Sequence, residues 1–367
     1  MLFHWYLFVF LIILYAFSKA ANQRYWVYKA GEYECRYRQF TAMTIIAVLT
    51  YVAATRHERF IDTYSYISDF MRTTASWDNI IAIIQGTGKD KGFYIVRVVL
   101  RFLLGDHYRI YLGTIAGFCL LCVFSMYRKH SSNLFITTFL FIASGEFVMW
   151  THNGTRQFIA VSMIFAATDL LLKKKYIPYI AVILLASTFH GSALIMLPVI
   201  FVVQGKAWNM KAILMMLSIL ALTASTNLLN DLLLSVMENS QYAGDVDTLF
   251  ATGGVNGFRV LVFAIPPMMA LLFRREIIRL NIPLINLAVN MSIVSLGVYI
   301  IGMFTSGIYI GRLPIYFSLF NYILLPWIIE RFFTKSSANL IYLALISCYM
   351  VYYYYQMHIV WGSVTSL

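Results

Sequence analysis

Long apolar runs separated by short polar connections fill nearly the whole chain, with the spacing of membrane helices rather than the two-residue alternation of a half-buried sheet. The runs predict helices at about 2–17, 40–55, 107–126, 133–150, 155–172, 176–189, 191–204, 211–229, 257–273, 283–303, 312–330 and 338–358. A bilayer crossing takes about 20 residues, so a dozen crossings, some short or tilted, use about 240 and leave no room for a large soluble domain. The expected fold is all-α and polytopic, a single transmembrane domain over residues 1–367 with about 12 spans. It carries an outer-face loop at 56–106 with amphipathic or re-entrant helices and a second outer-face loop at 230–256. The first run, Leu2 to Phe17, lacks the basic leader and small-residue cleavage site of a signal peptide and reads as a span.

Composition agrees, at 60% hydrophobic and 12% charged residues. The net charge of +12 changes the picture only through its placement. Basic residues gather in every second connection: Lys19 to Arg38, Arg128 and Lys129, Lys173 to Lys175, Lys206 and Lys211, Arg274 to Arg279, and Arg331 with Lys335. The positive-inside rule makes these connections cytoplasmic and puts both termini outside. The charge therefore reads as membrane orientation plus an anionic substrate, and not as a nucleic-acid surface. Cys119 and Cys122 form a C-x-x-C inside an apolar run, with no second pair or nearby histidine to complete a metal site. The sequence has no P-loop, no G-x-G-x-x-G and no H-E-x-x-H, and calls for no cofactor and no metal.

Candidate chemistry centres on the helices at 155–172 and 176–189. Joined at Lys173 to Lys175, they must return to one membrane face, which brings Arg156 and His190 to about the same depth, opposite the lysines. Guanidinium and imidazolium can both donate charge-assisted hydrogen bonds to phosphate oxygens, so the pair suggests an anion site. Taken singly, a snorkelling arginine and a hydrogen-bonded core histidine explain them equally well. Glu146 stands near the outer end of its span, placed to pair with Arg156 across the hairpin. Arg259 and Arg312, like Arg156, each begin an apolar run. In the loop from Arg56 to Gly92, Arg59, Asp62, Tyr66 and Asp69 recur at helical spacing, and Asp62 is either a salt-bridge partner of Arg59 or a general base. The following run is too short to span comfortably and carries Arg97 and Arg101 on one helix face, where they meet headgroups or line the site. Asn153-Gly154-Thr155 fits a glycosylation acceptor, but its turn chemistry accounts for it.

The order of motifs adds a resemblance. R-x-x-D-T-Y from Arg59 follows the second span, and K-G-F-Y from Lys91 precedes the amphipathic run. T-R-Q from Thr155, A-S-T-F-H-G-S-A from Ala186 and G-R-L-P-I-Y-F from Gly311 complete the set. The chain resembles the EpsG-type members of the Wzy superfamily of bacterial polysaccharide polymerases, over about residues 40 to 330. The resemblance implies a GT-C-like inner-membrane glycosyltransferase with its active site toward the periplasm or exterior. Such an enzyme joins oligosaccharide repeat units carried on undecaprenyl diphosphate, within the lipid bilayer, together with a chain-length regulator. On that reading Arg156, His190 and Arg312 hold the diphosphate, with Arg259, Arg101 or Arg59, and Asp62 or His190 takes the acceptor proton. An O-antigen ligase, a lipid-linked oligosaccharide transporter, a membrane acyltransferase and a non-catalytic membrane subunit are the alternatives.

Overall fold

Hydrophobic periodicity places most helix boundaries within a few residues of those in the computed structural model, which describes residues 4–29, 32–60, 62–224, 234–235 and 253–362. Most of the expected second outer-face loop, 230–256, lies outside the described residues. The chain divides into two compact units, Met1–Leu194 with Leu343–Leu367, and Ile195–Tyr342.

The first unit opens with α1 (Tyr6–Ala20) and an antiparallel hairpin of β1 (Arg24–Lys29) and β2 (Glu32–Tyr37), with Arg24 opposite Tyr37 and Lys29 opposite Glu32. The charge pattern predicts only a basic connection over this stretch. Its alternating aromatic, β-branched and charged residues are strand-forming, and cross-strand pairing satisfies backbone groups that a bare loop would leave open. Buried Arg36 donates to the Ser131 carbonyl and ties the hairpin to the turn after α6 (Tyr108–His130). Helix α2 (Gln39–Ala54) packs along α6 over a contact lined by the small residues Ala54, Gly113 and Gly117, and α6 packs in turn on α9 (Thr155–Ala166). Between α2 and α6 run three short helices, α3 (Thr63–Arg72), α4 (Trp77–Gln85) and α5 (Lys91–Leu104). These are the amphipathic elements expected in the 56–106 segment.

The predicted span at 133–150 is bent. Helix α7 (Leu134–Ala143) meets Glu146–Asn153 at 68°, the latter made of the short α8 (Glu146–Val148) and a π-helical turn, Met149–Asn153. Two interactions hold this bend. The Glu146 carboxylate, fully buried, accepts a hydrogen bond from Trp150 Nε1. Arg56 is 8% exposed and donates from Nε to Thr63 Oγ1 at 3.1 Å and from Nη1 to the carbonyl oxygens of Thr151 at 2.6 Å and Ala53 at 3.3 Å. Burial pushes the Arg56 guanidinium down to about 10, still protonated at neutral pH. Glu146 thus does not pair with Arg156, as its place in the sequence suggested; the Trp150 indole on the following turn takes the carboxylate.

Chain direction then reverses at α10 (Thr168–Leu172) and the lysine turn into α11 (Tyr176–Ser187), which returns along α9. The second unit contains α12 (Met196–Val203), α13 (Met210–Ala224), α14 (Gly257–Leu272), α15 (Arg274–Leu280), α16 (Pro283–Phe304), α17 (Ile315–Ser318) and α18 (Asn321–Phe332). Helix α19 (Lys335–Tyr354) leads out of it. Asn290, buried in mid-α16, donates to the carbonyls of Val203 and Lys206 at 2.9 and 3.1 Å and accepts from the Trp208 N–H at 3.0 Å, satisfying the backbone where α12 ends.

Among the described residues, three helices are long and apolar enough to cross a membrane, Tyr108–His130, Thr155–Leu172 and Pro283–Phe304. Counting each bent pair as one span raises the number to six. Five further apolar helices of 10–17 residues, such as Gln39–Ala54 and Tyr176–Ser187, account for most of the remaining predicted spans and fall short of that length. The chain is a helical membrane protein, and the expected dozen spans is larger than length and composition alone support.

Gly154 is required by packing rather than by turn geometry: its φ of −77° is open to any residue, but an added Cβ would lie 2.5 Å from Cε3 and Cζ3 of Trp150. Trp150 is buried and anchored to Glu146, so it cannot yield. Gly154→Ala should cost about 1–3 kcal/mol through overpacking, read as a lower melting temperature of the detergent-solubilised protein. Trp150→Phe in the same chain should recover part of the loss, and an unchanged melting temperature for the single variant would rule this packing out.

Candidate functional site

The site is built where α5 begins. Asp90 precedes that helix in a left-handed conformation, φ 55°, which aspartate tolerates better than most residues. The next residue but one, Gly92, donates its N–H to the Thr188 carbonyl at 2.8 Å. An added Cβ on Gly92 would come within 2.3 Å of Thr188 Oγ1, which is held in place by its own bond to Leu185 O at 2.7 Å. Glycine is therefore what allows the K-G-F-Y segment to lie directly on the T-F-H-G turn after α11.

That contact places the Asp90 carboxylate between two of the sequence candidates. It accepts from Arg156 Nη1 at 2.9 Å and from the N–H of Gly191, the residue after His190. Arg156 is thus joined to the histidine turn through Asp90. Tyr94 Oη lies 3.4 Å from Arg156 Nη1, and Tyr66, whose hydroxyl donates to the Asn153 carbonyl at 3.0 Å, also hydrogen-bonds the guanidinium. Burial raises the Tyr66 phenol above its ordinary range despite the nearby cation, which keeps it a neutral donor. The two charges differ in access: the Asp90 side chain is 9% exposed and that of Arg156 is 38%. The acid is locked in and the guanidinium, with five N–H donors, keeps a face open to a ligand.

His190 is half-buried, with Nδ1 2.7 Å from Ser192 Oγ and 3.4 Å from the Ser192 N–H. An accepting Nδ1 leaves the proton of the neutral ring on Nε2. Of the other candidates in this unit, Arg101 lies apart. Arg101 caps the far end of α5, bonded to Gly105 O at 2.6 Å, ion-paired with Asp106 and lying over the Phe70 ring. Eleven residues of helix separate it from Asp90, about 16 Å along the axis. Arg59 and Asp62 are both exposed and form no ion pair with each other; Asp62 is the residue before α3, without a side-chain capping bond. Arg97 donates to Asp69 at 3.0 Å and lies 4.8 Å from the Tyr94 ring centroid.

Arg259 and Arg312 belong to the second unit. Val255 N–H donates to Gly302 O at 2.8 Å and Gly307 N–H to Gly253 O at 2.9 Å, which joins the start of α14 to the turn after α16. Arg259 therefore stands at the same end of that unit as the 3-10 turn Ile310–Arg312, and its guanidinium lies over the rings of Tyr299 and Phe263. Asp90, Gly92, Tyr66 and Tyr94 were not singled out from sequence as parts of this site. The available signal was an acid set between Lys89 and Lys91, directly before a glycine and an amphipathic helix.

Two outcomes test this geometry. The Asp90 carboxyl is raised above its usual range, by burial first, with Arg156 opposing. A raised folded pKa contributes stability that is full below the unfolded value and is lost as pH rises through the folded one. The stability of the native chain minus that of Asp90→Asn should therefore fall as pH rises above about 4, measured by thermal melting, and a flat difference contradicts the assignment. Gly92→Ala should separate α5 from the histidine turn and speed amide exchange at 90–94 and 188–191 by about tenfold or more. Native exchange rates in the variant would show that the two segments tolerate a methyl between them.

No curated protein and no solved structure matches the chain. Residues 39–363 match the model of the EpsG family, a stretch that takes in Asp90, Arg156 and His190 as well as Arg259 and Arg312. With that match running over most of its length, the chain belongs to the EpsG family.

Proposed function

We propose that the protein is a polysaccharide polymerase of the bacterial inner membrane that joins oligosaccharide repeat units carried on undecaprenyl diphosphate, at the outer face. Family membership supports a polysaccharide polymerase-like function. The observation that carries the finer reading is Arg156, held by Asp90, Tyr94 and Tyr66 at the start of a membrane helix with 38% of its side chain accessible. The N-terminus of α9 adds its partial positive charge at the same point.

In the proposed reaction an acceptor hydroxyl oxygen bonds to the anomeric carbon of the donor. The bond from that carbon to the diphosphate breaks with its electron pair passing to the phosphate oxygen. Arg156 stabilises the charge that grows on this leaving group, where fixed donors act most strongly on the transition state. In the tautomer selected by Ser192, His190 donates from Nε2 and assists the same phosphate oxygens. The hydroxyl proton then passes to Asp62 or to solvent. Arg312, in the G-R-L-P-I-Y-F motif, and Arg259, which begins an apolar run, are kept as diphosphate candidates on the sequence alone, and Arg101, bound at the far end of α5, is assigned to structure.

Incubation of the purified protein with lipid-linked repeat unit alone should give a ladder of longer lipid-linked glycans. Arg156→Ala should lower elongation by about 10²–10³ while the protein still inserts, and His190→Ala and Arg312→Ala should each lose most of it. Movement of the lipid-linked unit across a vesicle membrane without a ladder would make the protein a transporter, and normal elongation by Arg156→Ala would remove that arginine from the site.

A further inference from the structure

Two clefts flank α5, and they differ in chemistry. One, of about 120 Å³ and lined by Trp77, Ile80, Val99, Phe102 and Leu103 among others, is almost wholly apolar. The other, of about 330 Å³, lies between α3, α4 and α5 and is lined by Asp69, Arg72, Asn79, Ile83, Tyr94 and Arg97 among others. Its volume falls at the lower end of the range for small-ligand sites, about 300–1,000 Å³.

We propose that this polar cleft is a saccharide subsite, holding the sugar next to a diphosphate gripped by Arg156. The inference rests on the polymerase reading and assigns part of its substrate. Tyr94 makes the two sites continuous: its hydroxyl reaches Arg156 at 3.4 Å while the residue lines the cleft and Arg97 lies over its ring. A sugar presents hydroxyls that both donate and accept, together with an apolar C–H face, and the lining answers each. Arg72 donates, and among the described residues no ion pair engages it. The Nε of Arg97 is buried without a partner. Asp69 accepts and remains 60% exposed although Arg97 binds one of its oxygens. The Asn79 amide donates to Thr74 O at 2.8 Å, which leaves its carbonyl to accept from a ligand. Tyr94 and Ile83 supply apolar surface. A lipid tail is disfavoured there by the polar lining.

The test uses the full-length protein in lipid nanodiscs with two probes. One is single repeat units released by mild acid hydrolysis from the host's own surface polysaccharide; the other is undecaprenyl diphosphate without sugar. The wild type should bind both. Arg72→Ala, an exposed side chain whose loss leaves the fold intact, should weaken the oligosaccharide about tenfold, and Ile83→Trp, which fills the cleft, should abolish its binding. Both variants should bind undecaprenyl diphosphate as the wild type does. Oligosaccharide binding that survives both substitutions overturns the subsite, as does a wild type that binds no oligosaccharide. If undecaprenyl diphosphate still binds in that case, the polymerase reading stands without the subsite. Oligosaccharide binding lost in both variants, in a protein that makes no ladder, keeps the subsite and removes the polymerase.

Discussion

A buried carboxylate with two obligations fixes the geometry of the first unit. Asp90 cannot sit 9% exposed without partners, and the ones it has come from distant parts of the chain: Arg156 at the head of α9 and the Gly191 N–H after α11. Because burial outweighs the pull of Arg156 on its ionisation, the pair is not a large source of stability. Its consequence is positional. The start of α5, the start of α9 and the histidine turn are brought to one place, and the backbone bond from Gly92 to Thr188 closes the arrangement from the other side.

This also explains how an arginine at membrane depth can be both fixed and usable. A guanidinium released into an apolar wall would snorkel away, and one wholly paired would have no donor to offer. Arg156 avoids both because its partners engage the Nη1 side while more than a third of the side chain remains accessible. The π-helical turn ahead of it is held from two directions, by Glu146 through Trp150 and by Arg56 through the Thr151 carbonyl. Movement of the α9 N-terminus would have to break one of these buried contacts.

Much of the framework was legible in the sequence because bilayer-length apolar runs leave few alternatives. The hairpin of α9 and α11, with Arg156 and His190 at its open end, followed from the lysine turn alone. The connector was not legible, because Asp90 lies 66 residues before Arg156 and nothing local marks the pairing. Glu146 looked the better partner since it is nearer in sequence and in an adjoining span, but Trp150 on the following turn claims it. The β1–β2 hairpin was missed because its charges fitted a topology signal, and that fit masked an alternation of residues that favours strands. Bends such as the 68° one after α7 were hidden because hydropathy measures apolar length and not direction.

The amphipathic helix α5 also joins exposed apolar surface to the site. Phe102 and Leu103 near its end, and Trp77 at the start of α4, are 70%, 68% and 76% exposed, a cost that water would impose and an acyl boundary would not. At 14 residues α5 extends about 21 Å, short of the hydrocarbon thickness. Its other side carries Tyr94 and Arg97 toward the polar cleft, and its first turn docks on the histidine turn. The helix that carries this exposed apolar surface also has Asp90 directly before its start, and through Asp90 it reaches the guanidinium of Arg156. Apolar surface, a fixed cation and a polar cleft thus lie along one helix, the combination that the proposed lipid-linked substrate requires.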